Sequence, residues 1–235
     1  GFGDYTGIDL HEEADGIMPS RGIVKALFNR PWYIGDTINI GIGQSYWTAT
    51  PVQLAQAIST LVNKGRRIIP QIIRGNIIQE KTVLDPIKER SPIAIGDEHN
   101  WDIVLDAMYG TVNRKGSAYN AFKGAHYISA GKTGTAQLVT IAQDEKYDAT
   151  KLSKKNHDNA MYVGYAPYDK PQIALTVVLE NAGHGGAEAA PIARKMMDNY
   201  FKDQTFPEHQ LIEYLGQEPE SIELTQAEGQ PDAQN

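Results

Sequence analysis

Tyr127-Ile128-Ser129-Ala130-Gly131-Lys132-Thr133-Gly134-Thr135-Ala136-Gln137 places a cation and two hydroxyls among glycines, in a run that otherwise reads as a β-strand. Side chains alternate along a strand, so Thr133 and Thr135 fall on one face and Lys132 on the other. Gly134 leaves the backbone bare between the two hydroxyls, and a ligand can lie close along that edge. Hydroxyl donors, an ammonium and free main-chain groups suit an extended, peptide-like ligand that ends in a carboxylate. The candidate binding residues are therefore Lys132, Thr133, Gly134 and Thr135.

Other chemistries fail on spacing. A phosphate-binding P-loop ending at Gly131-Lys132-Thr133 needs a glycine at position 126, which is His126, and it opens a helix instead of sitting in a strand. Gly41-Ile42-Gly43 begins like a dinucleotide fingerprint, but Tyr46 stands where the third glycine belongs. No two of the six histidines form a His-x-x-x-His pair, and cysteine is absent, so neither a metal nor a cofactor is expected. No Gly-x-Ser-x-Gly elbow exists for a serine triad. His184, set among Gly183, Gly185 and Gly186, is a possible site residue, because a glycine run brings backbone close to a ligand as readily as it makes a tight loop. Trp47, beside a glycine turn, is the other possible one, although such an aromatic more often packs as core or lid. His157 reads as a solvated loop histidine.

The elements around the strand can be read from periodicity and caps. Ser20 caps a helix through Phe28 with Ile23, Val24 and Leu27 inward, and residues 38–43 alternate like a strand. Thr50 and Pro51 open a helix whose stripe is Val52, Leu54, Ala55, Ala57, Ile58 and Leu61, and Gly65 ends it. Strand pieces are expected at 67–69 and 71–73, then a hairpin over 77–84. A helix over 97–112 carries Trp101, Val104, Leu105 and Met108, followed by a polar turn and a short helical stretch through Phe122. Residues 142–158 read as an exposed loop, 160–165 and 173–179 as a hairpin, and 188–201 as a closing helix. Tyr162 and Tyr165, three apart on one strand, must face opposite sides. The order predicts an α+β fold, a mainly antiparallel sheet with helices on its faces.

Charge narrows the partners. Eight of the 29 acids lie between Asp203 and Asp232 with no Lys or Arg among them, leaving 22 basic groups against 21 acids in residues 1–202. A nearly neutral body argues against nucleic acid. Residues 203–235 are expected to form an acidic C-terminal extension, disordered from about 216. The opening Gly1-Phe2-Gly3 has neither initiator Met nor leader pattern and is read as a cut from something longer.

Lys132-Thr133-Gly134 matches a triplet shared by penicillin-binding proteins and class A β-lactamases. It comes here within Gly131 to Gln137, followed by Gly164-Tyr165-Ala166-Pro167 and preceded by Gly41-Ile42-Gly43-Gln44-Ser45-Tyr46-Trp47-Thr48-Ala49-Thr50-Pro51-Val52-Gln53-Leu54-Ala55. In that order the chain resembles the C-terminal half of the transpeptidase domain of class B penicillin-binding proteins. Pro31-Trp32-Tyr33-Ile34-Gly35-Asp36-Thr37 and Gly183-His184-Gly185-Gly186 resemble the elongation-type members of Gram-negative bacteria. The family's Ser-x-x-Lys helix and Ser-x-Asn motif are not in these residues. Ser129 and Lys132 fit Ser-x-x-Lys only formally, since a strand sends positions i and i+3 to opposite faces.

The resemblance implies a cross-linking enzyme of which this chain is one wall. A serine supplied from outside residues 1–235 would attack the D-Ala–D-Ala bond of a peptidoglycan stem peptide, and β-lactams would acylate the same serine. Thr133 and Thr135 would bind the donor's terminal carboxylate. Lys132 and the backbone N–H of Thr135, half of an oxyanion hole, would be the catalytic groups here. A membrane glycosyltransferase and other cell-elongation proteins would be partners, and the setting would be the periplasmic part of an inner-membrane-anchored protein. A non-enzymatic β-lactam or stem-peptide sensor, or a serine β-lactamase or D,D-carboxypeptidase, is the alternative.

Overall fold

The computed structural model describes residues 1–138 and 153–206. Along them run α1 (Arg21–Phe28), α2 (Ile34–Gly41), α3 (Pro51–Val62), β1 (Arg67–Ile68), β2 (Gly75–Ile78), β3 (Lys81–Leu84) and β4 (Glu89–Arg90). Then come α4 (His99–Asn113), α5 (Tyr119–Phe122), β5 (Ala130–Ala136), β6 (Asn159–Ala166), β7 (Ile173–Leu179) and α6 (Ala189–Phe201). Most of the 142–158 loop, and all of the extension expected to be disordered, lie outside the described residues.

Strands β5, β6 and β7 form an antiparallel sheet in that order. Tyr162, Val177, Phe122, Ala193, Met197 and Phe201 make a core between one face and helices α5 and α6. Ile58, Met108, Tyr109, Ile128, Ala130 and Tyr165 make a second core on the other face, under α3 and α4. Tyr162 and Tyr165 therefore do point to opposite sides, and the architecture is the expected α+β one. Gly131 and Gly164 are opposite each other, and a Cβ at either would run into the Tyr162 ring lying across the sheet.

Helix α3 starts as its sequence demands. Thr50 Oγ1 accepts the Gln53 N–H at 3.2 Å, Gln53 Oε1 accepts the Thr50 N–H at 2.9 Å, and Pro51 takes the first helical position. The apolar stripe is only half the account, because Gln53, Gln56 and Thr60 are buried on the same helix. Gln53 Nε2 donates to the carbonyls of Asp4 (2.9 Å) and Asp15 (2.6 Å), and Gln56 Nε2 to that of Ile68 (3.0 Å). The Gln53 amide satisfies backbone acceptors of the N-terminal loop, and that of Gln56 ties α3 to β1.

The structure corrects several expectations. Residues 38–43 are not a strand, because α2 begins earlier, at Ile34. The Asp36 carboxylate accepts the Tyr33 N–H at 2.8 Å and is held by the Arg30 guanidinium at 2.7 and 2.8 Å. That N-terminal anchor overrides the β-preference of three isoleucines. The Arg30 hydrogen bonds, with the Tyr33 N–H behind them, hold the Asp36 carboxyl down to about 2. The piece at 71–73 is no strand either. The N–H groups of Ile72 and Ile73 donate to the Asp9 carboxylate at 2.6 and 2.9 Å, so they are lost to a ladder. Leu27 and Val104, expected inward, are exposed, whereas Val24 and Trp101 are buried as expected. Asp158, at the end of the loop read as exposed, is buried, and His157 beside it is half-buried instead of solvated.

Candidate active-site wall

Strand β5 pairs with β6 on one side only, so among the described residues its other side is a sheet edge. The register sets Thr133 opposite Tyr162 and Thr135 opposite Ala160, both inward toward the α6 side. Lys132 is opposite Val163, on the α3–α4 side. Cross-strand partners share a face, so the two hydroxyls lie together and the lysine lies apart, as the alternation predicts.

The edge groups can be oriented from their partners. Gln44 Nε2 donates to the Thr135 carbonyl at 3.0 Å, and Lys132 Nζ donates to the Thr133 carbonyl at 2.9 Å. Both carbonyls therefore point away from β6. In an antiparallel strand a residue's N–H and C=O point the same way, so the N–H groups of Thr133 and Thr135 also face outward. Lys132, exposed at its tip, curls over this edge. The result is a strip of outward main-chain donors and acceptors, with an ammonium at its rim and two half-buried hydroxyls just behind it. Such a strip can take an extended chain as an added strand and hold an anion at its end.

Two loops press on the strip from the α6 side. A Cβ at Gly185 would overlap the carbonyls of Met161 and Gly134, so only glycine lets this loop lie on the strand pair. Gly186 similarly packs on the Ser117 backbone, with a Cβ there 2.5 Å from its carbonyl. The Ser117 hydroxyl is 2.7 Å from the Thr133 hydroxyl.

Lys132, Thr133, Gly134 and Thr135 are thus brought together. His184 lies exposed in the loop that lies on Gly134, and its carbonyl accepts the N–H groups of Ala187 and Glu188 ahead of α6. Trp47 packs its ring edge-on to Phe2, 5.4 Å between centroids, which makes it part of the N-terminal packing. Ser129 is buried at 2% exposure, unlike an attacking nucleophile. Gln44 and Ser117 are the residues sequence reasoning missed. Gln44 was visible only as part of a glycine turn, and Ser117 only as part of a polar turn.

An antiparallel sheet with helices on both faces, and Lys-Thr-Gly on a strand that is an edge among the described residues, is the architecture expected of a transpeptidase domain. The chain belongs to the penicillin-binding protein transpeptidase domain family, which matches residues 1–198. Among curated relatives, it is 42% identical over 214 residues to the peptidoglycan D,D-transpeptidase MrdA of Haemophilus influenzae, covering 88% of this chain and 32% of that one. It is 40% identical over 202 residues to MrdA of Escherichia coli K12, covering 85% of this chain and 31% of that one. The chain spans about a third of the length of these relatives. Of solved structures, Pseudomonas aeruginosa PBP2 in complex with WCK 5153 superposes at a TM-score of 0.73 with 36% identity, over 88% of this chain and 44% of that one. The complex between PBP2 and MreC of Helicobacter pylori follows at 0.71 and 27%, over 86% and 34%.

Proposed function

We propose that this chain supplies the Lys-Thr-Gly wall of a serine peptidoglycan D,D-transpeptidase of the elongation type. The observation that carries the reading is the outward N–H and C=O of Thr133 and Thr135, with both hydroxyls on one face and Lys132 over the rim. A donor stem peptide lies along this edge, and its terminal carboxylate accepts from the Thr133 and Thr135 hydroxyls. A serine from elsewhere in the polypeptide attacks the penultimate D-alanine carbonyl. The Thr135 N–H stabilises the oxyanion that forms. The serine proton passes to the departing amine, and D-alanine leaves. An amine of a second stem then attacks the acyl ester; the new amide bond forms, the ester bond breaks, and the amine's proton passes to the departing serine oxygen.

Residues 1–202 form the C-terminal part of the transpeptidase domain, and 203–235 an acidic extension. The setting is the periplasm, with the anchor and nucleophile outside these residues, and the partners are a membrane glycosyltransferase and elongation proteins of the MreC kind. β-Lactams acylate the same serine.

The test uses the full-length protein with a stem pentapeptide donor and an amine acceptor. Release of D-alanine together with cross-linked product, both abolished by a penicillin, is the expected result. Penicillin labelling without D-alanine release would make the protein a sensor. Rapid loss of the label would make it a β-lactamase.

A further inference from the structure

We infer that Ser117 is a positioning residue for the donor carboxylate, acting through Thr133. The inference rests on the proposed carboxylate role of Thr133 and adds a residue that the Lys-Thr-Gly triplet does not contain.

The two hydroxyl oxygens are 2.7 Å apart, and either can donate in the bond between them. Thr133 Oγ1 carries a single hydrogen. Once that hydrogen goes to an anionic ligand, the Thr133 oxygen can only accept from Ser117. The bond then has one direction, Ser117 to Thr133 to carboxylate, and each donor polarises the next. Without Ser117 the Thr133 hydroxyl is free to rotate, and its oxygen loses the donor that sharpens it.

The surrounding backbone holds Ser117 in this place. The Ala118 N–H donates to the Thr111 carbonyl at 3.2 Å, and the Tyr119 N–H to the Gly116 carbonyl at 3.1 Å. A Cβ at Gly116 would overlap the Thr111 backbone, so the turn after α4 is drawn tight against that helix. Gly186 closes on the Ser117 carbonyl from the other side, with its would-be Cβ 3.8 Å from Thr133 Cγ2. Three segments far apart in sequence, the turn at 116–118, strand β5 and the glycine loop, therefore converge on one hydroxyl pair.

The full-length protein is assayed for second-order acylation by benzylpenicillin and by its methyl ester, which lacks the anion. Ser117→Ala is expected to slow the free acid about tenfold while the ester changes by less than about twofold, and Ser117→Thr is expected to restore the acid. Thr133→Val serves as the reference and should lower the preference for the acid at least as far as Ser117→Ala does, with Thr135 still donating. Equal loss on both substrates in Ser117→Ala would mean a structural prop and overturn the inference. An unchanged preference in Ser117→Ala beside a lowered one in Thr133→Val would overturn the inference and leave the carboxylate reading standing. A preference undiminished in Thr133→Val would overturn both.

Discussion

Replacing Lys132 by alanine is expected to slow acylation by a fluorescent penicillin by at least about 100-fold while leaving the fold as stable as before. The exposed lysine places its ammonium over the edge on which the proposed reaction develops charge, 2.9 Å from the Thr133 carbonyl. A fixed positive charge there favours an anionic donor and the oxyanion more than any neutral group can. Removing it exposes one edge carbonyl to water, which satisfies it, so unfolding should shift by less than about 0.5 kcal/mol. Arginine should not substitute, because its broad fork cannot curl onto one carbonyl from the next residue in the way a single ammonium does. The readings are the labelling rate and the unfolding midpoint of the full-length protein. A normal labelling rate in the alanine variant would remove Lys132 from the chemistry.

The second large effect falls on the sheet itself. Gly131→Ala is expected to destabilise the fold by about 3 kcal/mol or more. A methyl there would run into Tyr162 Oη and Cζ and stand 2.7 Å from the Val163 carbonyl. The ring cannot swing aside, since Tyr162 is fully buried under α5 and α6 and stacks on Phe122 at 5.5 Å. Its hydroxyl finds no hydrogen-bond partner among the described residues, and burial holds it well above the usual phenol range. Tyr162→Phe should therefore be neutral or stabilising by up to about 1 kcal/mol, since it deletes an unpaired buried polar group. Chemical unfolding of the two variants checks both statements. Near-wild-type stability in Gly131→Ala would show that the strands yield where the packing says they cannot. Gly131, just before the lysine, thus has a structural reason to be glycine apart from ligand access.

What the sequence disclosed was mostly local. Thr50, Pro51 and Gln53 encode a helix start within four residues, and the structure carries it out. The β6–β7 hairpin and the alternation along β5 need only neighbouring residues, and they too were readable. The failures share a different cause. Ile38, Ile40 and Ile42 look like a strand until Asp36 is seen held by Arg30, a contact six residues apart that starts a helix. Ile72 and Ile73 look extended until Asp9, more than sixty residues earlier, takes their N–H groups. The amides of Gln53 and Gln56 are polar letters in a core, explicable only once the loop and β1 carbonyls they satisfy are known. Gln44 meets Thr135 across 91 residues, and no period in the chain announces it. The candidate site was thus legible in its chemical groups but not in the residues that hold them still.

The most direct test is the structure of the full-length protein acylated by a penicillin. The penicillin carboxylate should accept hydrogen bonds from the hydroxyls of Thr133 and Thr135, with the acyl oxygen against the Thr135 N–H and Gln44 still beside the strand. An adduct seated elsewhere, with these groups bonded only to water, would contradict the assignment of β5 as the wall of the active site.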